Sequence, residues 1–411
     1  MTKTLPSLAD FAQYTIVPAS DDQIRQHAKA AHVHWSHGRS LEEFLGATMR
    51  EHTRESWGKD GLHEVWVLVR KDDPQGEIYS GCEVYRRNAL IKRPDSDQVE
   101  DGIMYGIASV VTPIPHLKRG YATHMLRLLH YQMADPKHMP PQPSAWAAVP
   151  PYTRDATTEL EPGVMPKAIG SILWSDVGFE FYEKATVGAK RPGWVVRPEQ
   201  NIELVWKCLP PVTSSGAASS GSNEMDSAWE WIAETDIPEV SQYLSEQARA
   251  QLSATRTDHT VYQCDPASPG VLTWLTVRGP WLSRRKPPAD EPFGVQMKNP
   301  DGSRTIVLFT GYNDHVGPRL LVTCTHNLSP EHLESLLGKL DVIAHRAGRD
   351  QGWIWGLPLD GPLVKAWKAL SGRETSAGLR SEIKGHLIGV AWYGAEEDAG
   401  EFVDWQMWDW C

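Results

Sequence analysis

A basic, glycine-bearing turn between a predicted strand and a predicted helix is the segment of this sequence best suited to chemistry. An apolar stretch that ends at Val111 is followed by a proline-containing bend, the turn Lys118–Ala122 and an amphipathic helix. Helix N-termini attract anions through unpaired N–H groups and the helix dipole, and the small residues Gly120 and Ala122 let a phosphate approach the backbone. The pattern predicts a diphosphate cradle. The alternative is an ordinary connection whose basic side chains are solvated.

Length and composition predict a two-domain globular protein. The chain has 411 residues, of which 41% are hydrophobic and 23% charged, and its formal net charge of −11 argues against a nucleic-acid-binding surface. Its five cysteines are scattered without a C-x-x-C pair, which argues against disulfides or zinc and favours a reducing compartment. No stretch resembles a secretory signal or a membrane span. We therefore expect a cytoplasmic protein with no membrane or nucleic-acid partner.

Hydrophobic periodicity in the first half predicts the order β-α-α-β-β-β-α-β-α-β-β. The predicted strands are Tyr14–Val17, Glu64–Arg70, Ile78–Tyr85, Gly102–Val111, Ile169–Leu173, Trp194–Arg197 and Ile202–Trp206. The predicted helices are Asp21–His34, Leu41–Arg54, Gly120–Met133 and Asp176–Ala185. These elements together favour an α/β protein with a mixed sheet.

Two irregular segments interrupt the pattern. The stretch Pro210–Asn223 is rich in serine, glycine and proline, which is typical of a flexible linker. It divides the chain into predicted domains at 1–209 and 227–411, joined by a linker at 210–226. The proline-rich stretch Asp135–Lys167 is too long for an ordinary connection. It could form a lid over an acceptor site or a simple surface insertion.

The turn resembles the acetyl-CoA motif of the GNAT superfamily of N-acetyltransferases, Gln/Arg-x-x-Gly-x-Gly/Ala. Gly120 and Ala122 fall on its small positions, whereas Leu117 stands where Gln or Arg is usual. A second block, Ser175–Tyr182, resembles the family's Asn-x-x-Ala-x-x-Leu-Tyr segment, and its residues Ser175, Gly178 and Tyr182 are predicted to share one helix face. The Gly-Phe that follows this segment in the family is absent here. The short strand before this block corresponds to the fifth strand, which splays from the fourth to admit the pantetheine arm.

A narrower resemblance connects most of the chain with the fungal lysine acetyltransferase family, in which a second domain follows the GNAT domain. It depends on the strings Ser80–Arg87, Tyr105–Pro113 and Leu173–Gly178. The resemblance implies a GNAT fold followed by a second, degenerate GNAT-like domain, with acetyl-CoA as co-substrate. It implies the following residues for acetyl-CoA binding: Val110, Val111, Lys118, Arg119, Gly120, Tyr121, Ala122 and Ser175.

Acetyl transfer to an amine needs a general base for the amine and a proton donor for the leaving thiolate. The resemblance to the GNAT segment implies that Tyr182 lies near the sulfur, and Tyr182 is the predicted general acid because a tyrosine stays protonated at neutral pH and can donate to a thiolate; the alternative is a core tyrosine. Glu83 is the predicted base, because a glutamate in the interior of a strand is unusual; Asp101 is a weaker candidate, and Glu83 could instead point to solvent. Acceptor contacts are predicted at His34, Tyr105, Trp174 and Asp176, of which Asp176 is also read as a helix cap.

Three histidines close together, His32, His34 and His37, lack a fourth ligand nearby, so we expect no metal. The second half repeats the order β-β-α-β-α-β-β. Its predicted strands are Thr305–Phe309, Leu320–Cys324, Trp353–Trp355, Leu387–Trp392 and Phe402–Trp410, and its predicted helices are Pro330–Arg346 and Leu363–Leu370. There Thr325–Pro330 replaces the basic turn, which argues against diphosphate binding.

The sequence therefore favours a monomeric enzyme whose two packed domains acetylate a small amine, with lysine or a related amino acid as the first candidate. A protein or peptide lysine acetyltransferase is one alternative. A noncatalytic scaffold that binds CoA is the other, and Leu117 and the missing Gly-Phe are its best support.

Overall fold

A computed structural model of the chain describes residues 11–94, 96–146, 165–210, 228–283, 291–313 and 317–410. Its helices pack on two mixed β-sheets, so the predicted α/β class with mixed sheets is confirmed. The predicted linker beyond Pro210 and residues 147–164 of the proline-rich stretch lie outside the described residues. None of the described helices is long and apolar enough to cross a membrane.

The strands are numbered in chain order. They are β1 (Tyr14–Pro18), β2 (His63–Arg70), β3 (Ser80–Lys92), β4 (Val99–Val111), β5 (Gly170–Val177), β6 (Val195–Val196), β7 (Ile202–Lys207), β8 (Glu230–Ile232), β9 (Val261–Cys264), β10 (Gly294–Lys298), β11 (Arg304–Asn313), β12 (Pro318–His326), β13 (Gln351–Trp355), β14 (Ser376–Leu379), β15 (Ile383–Trp392) and β16 (Glu401–Phe402). The helices are α1 (Asp21–Trp35), α2 (Leu41–Thr53), α3 (Tyr121–Met133), α4 (Glu180–Glu183), α5 (Ile237–Ala254), α6 (Trp274–Ser283), α7 (Leu333–Arg346) and α8 (Pro362–Ala369).

The first sheet has the order β1-β2-β3-β4-β5-β15-β6, and β9 and β16 extend it beside β3. Alternation along β2 separates its two faces. Trp66 and Leu68 pack into the core that contains the leucines of α3, whereas Val65 and Val67 belong to a core that includes Ile24 of α1. Helices α1 and α3 therefore cover opposite faces of this sheet, and β4 and β5 lie near its centre.

The two sheets exchange strands across the predicted domain boundary. Strand β7, from the first half of the chain, pairs with β13 and β14 in the second sheet, whose order is β14-β7-β13-β12-β11-β10-β8. Strand β15, from the second half, pairs with β5 and β6 in the first sheet. Strands β7 and β15 were both predicted as strands, but the sheet to which each belongs was not.

The predicted helix Asp176–Ala185 is wrong over its first half. Strand β5 continues to Val177, because β15 pairs with it as far as Ile383↔Val177. Gly178 then takes a left-handed conformation with φ of +88°, and only Glu180–Glu183 is helical. Ser175, Gly178 and Tyr182 consequently do not share a helix face.

The predicted strand Phe402–Trp410 is also mostly wrong. Only Glu401–Phe402 pairs, with β9, and Met407–Asp409 forms a single 3-10 turn. The side chain of Gln406 forms hydrogen bonds with the backbone of Thr325 at the edge of β12. This segment is therefore held to β12 by a side chain and not by strand pairing.

Candidate functional site

The parallel strands β4 and β5 stop pairing part-way along their length, and the interval between their unpaired segments is called the cleft. Their pairing runs from Met104↔Gly170 to Ile107↔Leu173 and ends there, although both strands continue. The outer edge of β4 stays paired with β3, and that of β5 with β15. The facing edges of the continuing segments therefore carry backbone groups that are not paired with each other, which is an arrangement that can bind an extended, amide-containing chain as an added strand.

A β-bulge lies in β4 at the mouth of this cleft. Gly81 pairs with Val111 and Glu83 with Ala108, so β4 contains one more residue than β3 in this interval. Ser109 takes a positive φ of 50° at the bulge. The Nε2 of His27, on α1, lies 3.0 Å from the Ser109 carbonyl oxygen. The bulge redirects the N–H groups of the following residues and is held from the α1 face of the sheet.

The predicted diphosphate cradle lies beyond the end of β4. Lys118 and Gly120 have positive φ angles of 60° and 80°, and Gly120 is the N-cap of α3. Left-handed residues in such a turn form a backbone nest that points N–H groups at an anion. Arg119 is half-buried, and its Nε has no hydrogen-bond partner among the described residues. The turn thus combines a nest, a helix N-terminus and an unused donor.

The other residues of the turn and the last residues of β4 differ in how far they take part in local packing. Tyr121 is buried, and its hydroxyl lies 3.1 Å from that of Tyr14 on β1. Ala122 is half-buried, which suits the close approach that the sequence predicts. Leu117 is 44% exposed and therefore contributes little to the local core. Val110 packs partly on the core under α3, and the Val111 carbonyl accepts a hydrogen bond from Ser80 at 3.0 Å.

Glu83 is buried at the bulge, not exposed to solvent. Its side chain lies on the α1–α2 face of the sheet, where its Oε2 is 3.0 Å from the Tyr85 hydroxyl and 3.8 Å from the Nε2 of His63. The same hydroxyl lies 3.0 Å from the Oε2 of Glu51, which is on α2. Two buried carboxyl groups and a tyrosine therefore meet beside the bulge. Asp101, the weaker candidate base, is exposed and forms an ion pair with Arg249.

The second half of the chain covers this cluster. Arg278, on α6, has its Nε 2.9 Å from the Oε1 of Glu51 and an Nη2 4.0 Å from the Oε2 of Glu83. The same guanidinium lies 4.5 Å from the ring centroid of Trp274, which meets the Tyr85 ring edge-on. The cluster is consequently built from elements of both halves.

Histidines surround the carboxyl groups and stay neutral. The rings of His52, His63 and Tyr85 stack in series, with centroid distances of 4.1 and 4.3 Å. Burial lowers the pKa of His27, His52 and His63. Burial raises the pKa of Glu51, an effect that Arg278 opposes. The positive charge next to the two carboxyl groups therefore comes from the guanidinium of Arg278 and not from the histidines.

Two predicted site residues lie at the end of β5. Ser175 is buried, and its hydroxyl donates to the Gly178 carbonyl at 2.8 Å, so it stabilises the turn after β5. Asp176 is not a helix cap. It lies on β5, where its Oδ1 is 2.8 Å from the Nδ1 of His386 and accepts a hydrogen bond from the His386 backbone N–H at 3.3 Å. Both residues are therefore engaged with local structure or with β15.

The remaining predicted residues are dispersed. Trp174 is buried among Trp355, Trp410 and the guanidinium of Arg380, where the two halves meet. Tyr182 is half-buried in α4, and its ring lies edge-on to Trp194. Tyr105 is in the core beneath α3, and its hydroxyl donates to the Pro166 carbonyl. His34 is exposed near the end of α1. The structure does not bring Tyr105 or His34 into the Glu83 cluster.

The second sheet contains a similar bulge and a similar end of parallel pairing, but there a side chain fills the gap. Strand β12 contains a bulge near Thr323, and its parallel pairing with β13 ends at Val322↔Ile354. The side chain of Gln406 occupies the next position along β12. Its Oε1 accepts from the Thr325 N–H at 2.6 Å, and its Nε2 donates to the Thr325 carbonyl at 3.2 Å. This arrangement agrees with the predicted degenerate copy, which has no basic turn.

Sequence reasoning missed Glu51, Tyr85, His27 and Arg278. Tyr85 could have been found, because residues two apart on a strand share a face and Glu83 was already noted. Glu51 and Arg278 carry no such signal, since they reach the cluster from other elements. Among the residues that the structure describes, no group of three or more His, Cys, Asp or Glu side chains is arranged to hold a metal ion.

No protein-family model matches the chain, and no curated protein is significantly similar to it. Solved structures with a similar fold include a GCN5-related N-acetyltransferase from Anabaena variabilis, which is 14% identical over 93% of this chain and 73% of that one, with a TM-score of 0.49. Another from Kribbella flavida is 12% identical over 93% and 72%, with a TM-score of 0.46. These values are low, so the geometry of this chain has to carry the functional assignment.

Proposed function

We propose that this protein is an N-acetyltransferase that moves the acetyl group of acetyl-CoA to the amine of a small molecule, with lysine or a related amino acid as the first candidate. The observation that carries the proposal is the separation of β4 and β5 at a bulge that leads into an anion nest. The nest, the separated strand edges and the bulge follow one another in the same order as the diphosphate, the extended amide-containing arm and the thioester of an acyl-CoA.

The nest at Lys118–Gly120 binds the diphosphate, and the splayed edges of β4 and β5 bind the amides of the pantetheine arm. The backbone N–H groups of Val110 and Val111, which follow the bulge, polarise the thioester carbonyl. Preorganised donors of this kind stabilise the negative charge that develops on the oxygen during acyl transfer.

The transfer itself needs two proton movements. The acceptor nitrogen attacks the thioester carbon, a C–N bond forms and the C–S bond breaks. Glu83 takes the proton that the amine loses, and Tyr182 supplies a proton to the departing thiolate. Glu83 lies opposite Ala108 at the bulge, and Tyr182 follows the end of β5 that is no longer paired with β4, which supports these roles.

Burial supports a small acceptor. The Glu83 side chain is only 7% exposed, and α6 covers it with Trp274 and Arg278. A peptide backbone would need an open groove at this position. The acceptor contacts predicted at Trp174 and Asp176 belong to the same proposal, since both residues lie on the part of β5 that diverges from β4.

The test is thiol release from acetyl-CoA with a panel of free amino acids, polyamines, arylamines and a basic peptide, and with mass spectrometry of the products. We expect release with one class of small amine and a product heavier by one acetyl group. Release with the peptide alone would make this a protein acetyltransferase. Acetyl-CoA binding without any release would favour a noncatalytic scaffold, and absence of binding would overturn the proposal.

Tyr182→Phe separates catalysis from scaffolding. We expect kcat to fall about 10²-fold, because general acid catalysis contributes about 10²–10⁴-fold, with an unchanged Kd for acetyl-CoA. Tyr131→Phe is the matched control, since Tyr131 is also half-buried and its hydroxyl donates to the Pro140 carbonyl. Equal kcat values for the two variants would remove Tyr182 from the mechanism.

A further inference from the structure

The Tyr85 hydroxyl lies between two buried carboxyl groups. Its oxygen is 3.0 Å from the Oε2 of Glu51 and 3.0 Å from the Oε2 of Glu83. Tyr85 is completely buried, and the two glutamates are 3% and 5% exposed. Both distances are hydrogen-bond distances, so both contacts need a hydrogen atom.

One hydroxyl cannot supply both of those hydrogens. A tyrosine carries a single donor hydrogen and can accept with its oxygen. If it donates to one carboxylate, the other carboxyl group must carry its own proton and donate to the tyrosine oxygen. If both carboxyl groups were ionised, the Tyr85 oxygen and one carboxylate oxygen would lie at hydrogen-bond distance with no hydrogen between them. Such an unsatisfied contact is costly in a buried site. The geometry therefore requires one proton shared within the pair.

The surrounding groups agree with this state. The titratable and charged side chains that face the pair are Arg278 from α6, His27 from α1, His52 from α2, His63 from β2 and Arg87 from β3. Burial lowers the pKa of the three histidines, so they remain neutral. Arg87 lies over the Tyr85 ring at 5.2 Å and donates to the Trp57 carbonyl, whereas Arg278 contacts the carboxyl groups.

We infer that Glu51 and Glu83 form a carboxyl pair that shares one proton through the Tyr85 hydroxyl, and that this pair, not Glu83 alone, accepts the proton of the acceptor amine. This inference rests on the proposed function. Glu51 releases the shared proton to solvent, the Tyr85 hydroxyl passes its hydrogen to Glu51, and Glu83 passes the hydrogen that it took from the amine to the Tyr85 oxygen. Each of the three groups returns to its starting state.

The structure separates the two ends of this relay. Glu83 lies at the bulge opposite Ala108, where the acceptor is proposed to bind. Glu51 instead lies against Arg278, whose side chain is 18% exposed and marks the route to solvent. The amine therefore does not have to share its site with the water that removes the proton.

Glu51→Gln and Tyr85→Phe test the relay in opposite directions. We expect both to lower kcat about 10²-fold without changing the Kd for acetyl-CoA. Glu51→Gln removes a neighbouring acid but keeps Arg278, so the acidic limb of the kcat/KM profile shifts to lower pH. Tyr85→Phe removes a donor to Glu83, so the limb shifts to higher pH. Glu55→Gln, which removes an acid just beyond the end of α2 that pairs with Arg50, is the control and should leave the profile unchanged.

A second measurement does not depend on activity. Infrared difference spectra at neutral pH should contain a protonated-carboxyl band that disappears in Glu51→Gln and also in Glu83→Gln, since either change ends the sharing. The band should remain in Glu55→Gln. If the band is unaffected by both changes, or if neither variant of the kinetic test shifts its pH profile, the inference is overturned even when the enzyme acetylates an amine. If no amine is acetylated but the band behaves as expected, the proposed function fails and the carboxyl pair stands.

Discussion

At the scale of single residues, the proposed acetyl-CoA site depends more on backbone conformation than on side chains. Gly120 has a φ of +80°, which side-chain-bearing residues rarely adopt, and it forms the N-cap of α3. A Cβ at this position would lie 3.2 Å from the Cζ of Phe11, which is a contact that a small shift of the ring can relieve. The conformation of the nest is therefore the property that a substitution would disturb.

Gly120→Ala should weaken acetyl-CoA binding about tenfold, because a left-handed conformation costs an L-residue about 1–2 kcal/mol. Isothermal titration calorimetry measures the change in Kd. Gly302→Ala is the matched control, since Gly302 has a φ of +86° in the β10–β11 turn and a Cβ there would meet no atom of the described residues within 4 Å. It should lower the melting temperature without changing Kd. Equal losses of affinity in both variants would exclude the nest as the binding site.

At the scale of elements, the exchange of β7 and β15 requires a stable crossing point. Asn201 lies there, completely buried between β6 and β7. Its Oδ1 accepts from the Ile388 N–H on β15 at 2.8 Å and from the guanidinium of Arg380, and its Nδ2 donates to the Arg197 carbonyl at 2.8 Å. One side chain thus satisfies groups from both halves of the chain.

Asn201→Leu should lower the free energy of unfolding by about 3 kcal/mol, since it leaves a buried N–H and a buried guanidinium without their acceptor. Urea unfolding at constant pH measures this loss. Asn299→Leu in the β10–β11 turn removes a hydrogen bond to Ser303 and one from Thr305 in a less buried place. Because Thr305 can still donate to the Asn327 carbonyl, this change should cost less, about 1 kcal/mol. Similar losses for the two variants would mean that the crossing point has no special importance.

At the scale of the whole molecule, several histidines are buried in the neutral form across the first sheet. Burial lowers the pKa of His130 to about 3 and that of His124 to about 4, and it also lowers the pKa of His27 and His63. His130 connects three parts of the fold. Its ring nitrogens lie 2.9 Å from the Tyr393 hydroxyl and 3.0 Å from the Ala185 carbonyl, and its ring stacks on Trp194.

Because the folded-state pKa values are depressed, the unfolded chain binds protons more readily as the pH falls. The stability that these neutral histidines contribute is present above the unfolded pKa of about 6.5 and is lost as the pH falls toward 4. Melting temperatures between pH 7.5 and 4.5 should decrease steadily, and His130→Gln should make that decrease shallower. His34→Gln, at an exposed position, should follow the wild-type slope. Parallel curves for wild type and His130→Gln would contradict the assignment.

The sequence by itself determined the features that local patterns encode. The basic turn Lys118–Ala122 predicted a strand–nest–helix connection, because glycine and the helix start specify that conformation locally. Alternation and helical periodicity located most elements of both halves. A glutamate inside a strand marked Glu83, since such a residue is rarely placed there without a partner.

Only the tertiary structure decided which elements meet. Strand β15 lengthens β5 through Val177 and thereby replaces the predicted helical start at Asp176, which no pattern within the first half encodes. Glu51, Tyr85 and Arg278 come together from α2, β3 and α6, so their contact depends on the packing of elements far apart in the chain. Strand exchange and buried charge networks are determined by long-range pairing and desolvation, and neither leaves a periodic signal in the sequence.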